Sequence, residues 1–284
     1  MKKSISIWSF YGEHDLQGKM RLAAQSGFEG FEIDLTEDGP LNFKSTAKDF
    51  AAIRAMAAQE GVRLSGLASG LYWGANPASE DPATRERART IINRQVECAA
   101  ALGIDAILVV PGTVGVDFIP GCEVVDYETA WNRAKEFIAA TLPAVERSGV
   151  HLCIENVWNK FLLSPLEMAA FIDYFGSGMV GSYFDVGNAL ASGYPEQWIR
   201  ILGKRIRRVH FKDYRRNVGS VDGFCDLLSG DVDWKAVVGS LRTAGYEGWV
   251  TAEMIPPVPF YKHCPDVLIE NSSRAMDAIL AIGR

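Results

Sequence analysis

Histidine and clustered cysteine are what this 284-residue chain has least of: four histidines, and five cysteines (Cys98, Cys122, Cys153, Cys225, Cys264) with no two in a C-x-x-C pair. An odd number of dispersed cysteines excludes a disulfide framework or a zinc knuckle and fits reduced thiols in a cytoplasm. Basic charge is short as well. With 29 Lys+Arg against 35 Asp+Glu the formal charge is −6, which argues against a general nucleic-acid binder, because neutralising a phosphate backbone needs a basic surface. No segment approaches the ~20 consecutive apolar residues that span a bilayer. The start, Met1-Lys2-Lys3, has the charge of a signal peptide, but the apolar stretch behind it meets Gly12-Glu13-His14-Asp15 before an h-region forms, so it reads as a first strand. Linkers, charge blocks and low-complexity tracts are absent too, and one domain over 1–284 is the expectation.

The chain does carry a full core's worth of apolar residues, 48% against 23% charged, and its length suits a (β/α)8 barrel of about 250 residues. Short β-branched or aliphatic runs recur eight times: Ser4–Phe10, Gly30–Leu35, Arg63–Ser69, Ala106–Gly112, His151–Asn156, Val180–Asn188, Ile206–Asp213 and Trp249–Met254. Between them apolar residues take helical spacing, as at Phe50, Ile53 and Met56, and a last helix is expected from Val267 to Ile282. Gly27, Gly61, Gly103, Gly149 and Gly245 each stand just before a strand, where a left-handed residue stops a helix. The alternation predicts an α/β fold, a parallel (β/α)8 (TIM) barrel. Three connections after strand ends are long, Leu71–Asp81, Thr113–Asp126 and Tyr214–Gly230, and should roof a pocket.

Glu155, Asp185, His210 and Glu253 lie at or near the carboxyl ends of four different runs. Singly, such a carboxylate is often a helix cap and such a histidine a structural hydrogen-bonder. Together they come from the last four strands, in order, at one end of the barrel. Several carboxylates buried in one site need a cation, so the set predicts a hard divalent ion with positions open to substrate oxygens. Trp8 at the end of the first run and Trp158 after the fifth are expected in an apolar wall around a sugar.

The segments Leu152-Cys153-Ile154-Glu155-Asn156, Phe184-Asp185-Val186-Gly187-Asn188, His210-Phe211-Lys212-Asp213, Gly230-Asp231-Val232-Asp233-Trp234 and Thr251-Ala252-Glu253-Met254 resemble the xylose-isomerase-like sugar phosphate isomerase/epimerase superfamily. Within it the chain is most similar to ketose 3-epimerases, of the tagatose/allulose type and of the L-xylulose/L-ribulose 5-phosphate type. The resemblance implies that Glu155, Asp185, His210 and Glu253 bind one divalent ion, with Mn2+ the first expectation and Mg2+, Co2+ and Zn2+ as alternatives. It also implies that Glu155 and Glu253 are the catalytic acid/base pair, inverting C3 of a ketose or ketose phosphate through a metal-stabilised enediolate.

The resemblance further carries an arginine six residues after the metal-binding histidine, here Arg216 with Arg215 as the fallback, toward the substrate's C2 oxygen. Lys212 joins the substrate-binding expectation as a donor after the seventh strand, where many barrels bind phosphate. Tagatose-type members have a histidine three residues after the metal-binding aspartate, where this chain has Asn188, and a glutamate near the position of Phe161. Asn188 can hydrogen-bond a substrate oxygen without carrying charge, which leans toward the phosphopentulose branch. Free and phosphorylated sugars both stay open.

Rival readings follow from the same residues. An apurinic endonuclease of a related barrel needs three zinc ions and more histidines than His14, His151, His210 and His263. An aldose–ketose isomerase or a dehydratase of a small polyol uses the same enediolate logic, and a non-catalytic sugar-binding barrel is a further alternative. The expected partner is a small sugar or sugar phosphate, with no nucleic acid and no membrane; a homo-oligomer stays open.

Overall fold

The structure, a computed structural model, describes residues 1–256 and 259–283. Each apolar run becomes a strand: β1 Lys2–Ser6, β2 Gly30–Asp34, β3 Arg63–Ala68, β4 Ala106–Val109, β5 His151–Glu155, β6 Val180–Asp185 and β7 Ile206–Phe211. After a short hairpin of β8 (Asp213–Tyr214) and β9 (Phe224–Cys225), the last is β10 (Trp249–Ala252). The eight long strands close a parallel barrel in the order β1-β10-β7-β6-β5-β4-β3-β2. Helices α1 (Leu16–Gln25), α2 (Ala47–Glu60), α3 (Pro82–Leu102), α4 (Tyr127–Ser148), α5 (Pro165–Asp173), α6 (Val186–Leu190), α7 (Pro195–Leu202), α8 (Trp234–Thr243) and α9 (Pro265–Ala281) occupy the crossovers. The core lies between strands and helices, where β4 is buried along its whole length against α3 residues such as Ile92 and Val96. No helix among the described residues is long and apolar enough to cross a membrane.

All five predicted stop glycines, Gly27, Gly61, Gly103, Gly149 and Gly245, have positive φ between 71° and 90°. The expected runs all pass the observed strand ends, and in two of them a side chain shows why. The run Ser4–Phe10 leaves the sheet at Ser6, whose hydroxyl accepts from Trp8 N and starts a 3-10 turn over Ile7–Ser9. The run Val180–Asn188 ends at Asp185, whose carboxylate accepts from Asn188 N and begins α6. In both a polar side chain captures a backbone N–H and ends the extended chain, while the apolar residues beyond stay buried and keep the look of a strand.

The lumen of the barrel is polar. Contacts between strands that are not neighbours identify the inward side chains: Ser4 Oγ is 2.6 Å from Ser65 Oγ, Arg208 Nε donates to Ser65 O at 2.8 Å, and the Tyr183 hydroxyl bonds Glu32. Alternation along a strand then stacks Arg208 and His210 on one face of β7, and Tyr183 and Asp185 on one face of β6. Arg208, ion-paired to Asp105, fills the amino end, and the acidic residues gather at the carboxyl end.

Candidate metal centre and cavity

Register brings the four candidate ligands together. Asp185 pairs with His210 across β6 and β7, and Thr251 on β10 pairs with His210 from the other side, so Glu253 follows two residues later. The Glu253 backbone is held in turn: its N–H donates to Phe211 O at 3.2 Å, and Ser9 Oγ accepts from Met254 N at 3.0 Å. Glu155 ends β5 opposite Tyr183. One ligand atom from each of Glu155, Asp185, His210 and Glu253 lies within 4.8 Å of the others, and all four residues are buried. His210 Nδ1 is the imidazole atom that faces this group, 3.1 Å from Glu155 Oε1, 3.5 Å from Glu253 Oε1 and 3.8 Å from Asp185 Oδ2.

The donor set suits a divalent cation. Asp185 Oδ2 and Glu253 Oε2 are buried and share one cationic neighbour, Lys212, so the charge of the three carboxylates is only partly answered, a state that a positive ion relieves. Lys212 Nζ answers part of this charge, 3.4 Å from Asp185 Oδ2 and in ion-pair contact with Glu253. Burial pushes the Glu155 carboxyl up to about 8 against the lowering effect of the His210 hydrogen bond. It raises Asp185 too, against the pull of Lys212. Glu253 shows the opposite outcome: burial would raise it, but Lys212 and His210 hold it below the usual carboxylate range. Burial alone would lower the His210 imidazole, yet Glu32 and Glu253 carry it well above its ordinary value.

Glu32 on β2 was not anticipated from the sequence. It is fully buried, and its two carboxylate oxygens are 3.1 and 3.2 Å from His210 Nε2. A carboxylate there favours the tautomer with hydrogen on Nε2 and a lone pair on Nδ1, aimed at the ligand group. The available signal was an acidic residue in the middle of the apolar run Gly30-Phe31-Glu32-Ile33.

Above the four ligands opens a cavity of about 350 Å3, bordered by Glu155, Glu253, Trp8, Trp158, Asn188 and Lys212. Asn188 is fixed by its Nδ2, which donates to Asn156 O at 3.0 Å, while Asn156 Nδ2 donates to Asp185 O at 2.8 Å. The roof comes from the three long loops, through Trp73, Phe118, Val221 and Phe224, which the sequence did not single out. Arg216 goes elsewhere. Its guanidinium lies over the Tyr194 ring at 4.7 Å and donates to Gly193 O at 3.3 Å, lining an adjoining cleft behind Trp158. Its backbone N–H is tied to Asp231, which turns the side chain that way. Arg215 donates to Ser229 O on an exposed loop. Phe161 packs among Tyr127, Trp131 and Phe171.

Asp213 organises this side of the roof. One oxygen accepts from Tyr214 N and Val232 N at 2.9 and 3.2 Å, the other from Leu228 N and Trp234 Nε1 at 2.9 and 3.1 Å. The segments His210–Asp213 and Gly230–Trp234, separate in sequence, therefore form one unit.

Comparison with known proteins agrees with this architecture. An Escherichia coli (strain K12) protein named "Putative L-ribulose-5-phosphate 3-epimerase SgbU" is 26% identical over 243 residues, 83% of this chain and 82% of the relative. Among solved structures, D-psicose 3-epimerase with D-tagatose from Clostridium cellulolyticum H10 superposes with a TM-score of 0.82 at 18% identity, covering 99% of each chain. The IOLI protein with a binding zinc atom gives 0.80 at 16% identity, covering 99% of this chain and 98% of that one. At these identities the structural likeness establishes the fold. Residues 20–271, most of the length, match the family described as Xylose isomerase-like TIM barrel, and the chain belongs to that family.

Proposed function

We propose that the protein is a metal-dependent epimerase that inverts C3 of a small ketose. The observation that carries this reading is the convergence of two glutamates, Glu155 at the end of β5 and Glu253 after β10, from either side of the strands β6 and β7 that bear Asp185 and His210, onto one ligand group at the floor of a cavity. The names of the relatives, 3-epimerases of ribulose 5-phosphate and of psicose, support the same chemistry. Glu155, Asp185, His210 Nδ1 and Glu253 would hold the ion, and three carboxylates with one imidazole suit Mn2+ or Mg2+ better than a closed tetrahedral zinc site. When bound, such a cation supplies Lewis acidity toward adjacent carbonyl and hydroxyl oxygens.

The protein's own part is proton transfer and positioning. One glutamate takes the C3 proton from one face and the other returns a proton to the opposite face, which inverts the centre. Asp185 and His210 hold geometry. Lys212, anchored on Asp185 and Glu253, places a fixed positive charge where the C2 oxygen gains electron density. Asn188 and the indoles of Trp8 and Trp158 border the sugar.

Incubation of the metal-loaded protein with ketoses in deuterated water, read by NMR, tests the proposal. Deuterium at C3 with appearance of the C3 epimer is the expected result. Exchange confined to C1 or C2 marks an aldose–ketose isomerase, loss of water a dehydratase, and no exchange a binding protein; each of these defeats the epimerase reading.

A further inference from the structure

We infer that the natural substrate is a ketose whose end distal to C3 is uncharged and apolar, as in a terminally deoxygenated or alkyl-bearing ketose, rather than a ketose phosphate; the inference rests on the epimerase reading and names its substrate class. A phosphate dianion buried in a pocket needs cations or converging donors. Among the described residues, Lys212 is the one cationic side chain lining the cavity, and it is committed at the floor to Asp185 and Glu253. Counting Glu155, Asp185 and Glu253 against a divalent ion and Lys212, the floor is close to neutral and has no surplus charge for a second anion.

The wall beyond the floor is apolar. Leu108, Val110, Phe118, Val157, Val221 and Phe224 border it, and the polar atoms of Trp8, Trp158 and Ser69 are already engaged, which leaves Asn188 as the neutral side chain with an open acceptor. Trp8 Nε1 donates to Asp34 at 2.8 Å, Trp158 Nε1 to Asn188 O at 3.3 Å, and Ser69 Oγ to Leu35 O at 2.9 Å. A terminal hydroxyl or phosphate entering against this wall, away from Asn188, loses water without gaining a side-chain partner, whereas a methyl group gains from leaving water.

Nearby cations do not amend this. Arg216 and Lys160 lie in the cleft behind Trp158, the first on Tyr194 and Gly193, the second paired with Asp117 at 2.6 Å. His14 and Lys19 line another cleft past Trp8 and Trp73, where Asp15 and Asp34 accompany them and His14 is 2.8 Å from Asp266. Trp73 and Phe118, meeting edge to face at 5.6 Å, stand half exposed at the mouth, where an apolar substrate end would cover them.

The test compares a 6-deoxyketohexose, the parent ketohexose and its 6-phosphate, in the C4/C5 configuration that reacts fastest, by C3 exchange in deuterated water and by calorimetric binding. The deoxy sugar should lead the parent in kcat/KM by roughly 10-fold or more, the discrimination a hydrophobic pocket gives for one such group, with the phosphate ester last. Trp73→Ala should raise KM for the deoxy sugar more than for the parent, and Val221→Lys should move the ranking toward the phosphate. Parity of deoxy and parent sugars, or preference for the phosphate ester with the unaltered protein, overturns the assignment while leaving C3 chemistry intact. Absence of C3 exchange together with tightest binding of the deoxy sugar removes the epimerase reading and keeps the assignment; absence of both exchange and binding removes the two together.

Discussion

His210 and Glu32 face each other across the barrel lumen, 178 positions apart in sequence, with Nε2 3.1 Å from Glu32 Oε1 and Nδ1 turned to Glu155 at 3.1 Å. A ring so held presents one defined nitrogen to a metal. Tyr183, bonded to Glu32 and packed 4.8 Å from the imidazole, fixes the carboxylate in its turn.

Replacing Glu32 with Gln keeps the shape and removes the charge that favours the Nε2–H tautomer. Metal affinity should fall by about 10–100-fold, the usual effect of losing such an outer partner, measured by titrating the metal-free protein calorimetrically. Affinity unchanged from the native value would show that the contact only packs the lumen.

Glu155→Gln and Glu253→Gln separate holding the ion from moving the proton. Each keeps an oxygen toward the ligand group and loses the base, so turnover should drop by roughly 10²–10⁴ while metal remains bound. Full turnover in both variants would send proton transfer to another group.

The barrel and the four-residue cluster were legible because strand ends recur at regular intervals and each ligand closes an apolar run, as Glu155 closes His151–Ile154. Glu32 was not, since its partner is distant in sequence and one acid within a strand resembles a surface position. The β8–β9 hairpin has two residues per strand, too few for a period-two pattern, and Phe118 and Val221 reach the cavity through loops whose paths depend on packing. Arg216 was expected at the substrate from the family resemblance, which places an arginine six residues after the histidine, but the loop that carries it turns on Asp231 and Tyr194.

Removing divalent metal with a chelator should lower the melting temperature, because the buried carboxylates of Glu155, Asp185 and Glu253 are then left with Lys212 and His210 as their only cationic neighbours among the described residues. Restoring the ion at about 100 times its Kd should return about 2.7 kcal/mol of stability, a shift of several degrees for a chain of this size. Identical melting curves with and without Mn2+, Mg2+, Co2+ and Zn2+ would count against a metal centre.

Asp213→Asn tests whether the roof depends on one carboxylate. Its oxygens accept four hydrogen bonds, two each, from Tyr214, Val232, Leu228 and Trp234. An amide must turn an NH2 toward one of these donor pairs, leaving two buried donors without an acceptor at about 1–3 kcal/mol each. The melting temperature should fall by roughly 5–10 °C. Because the same loop carries Val221 and Phe224 into the cavity wall, KM should rise while metal affinity, set by residues on other strands, stays unchanged. Loss of metal affinity in step with KM would mean instead that Asp213 supports the ligand group through Lys212 and the end of β7.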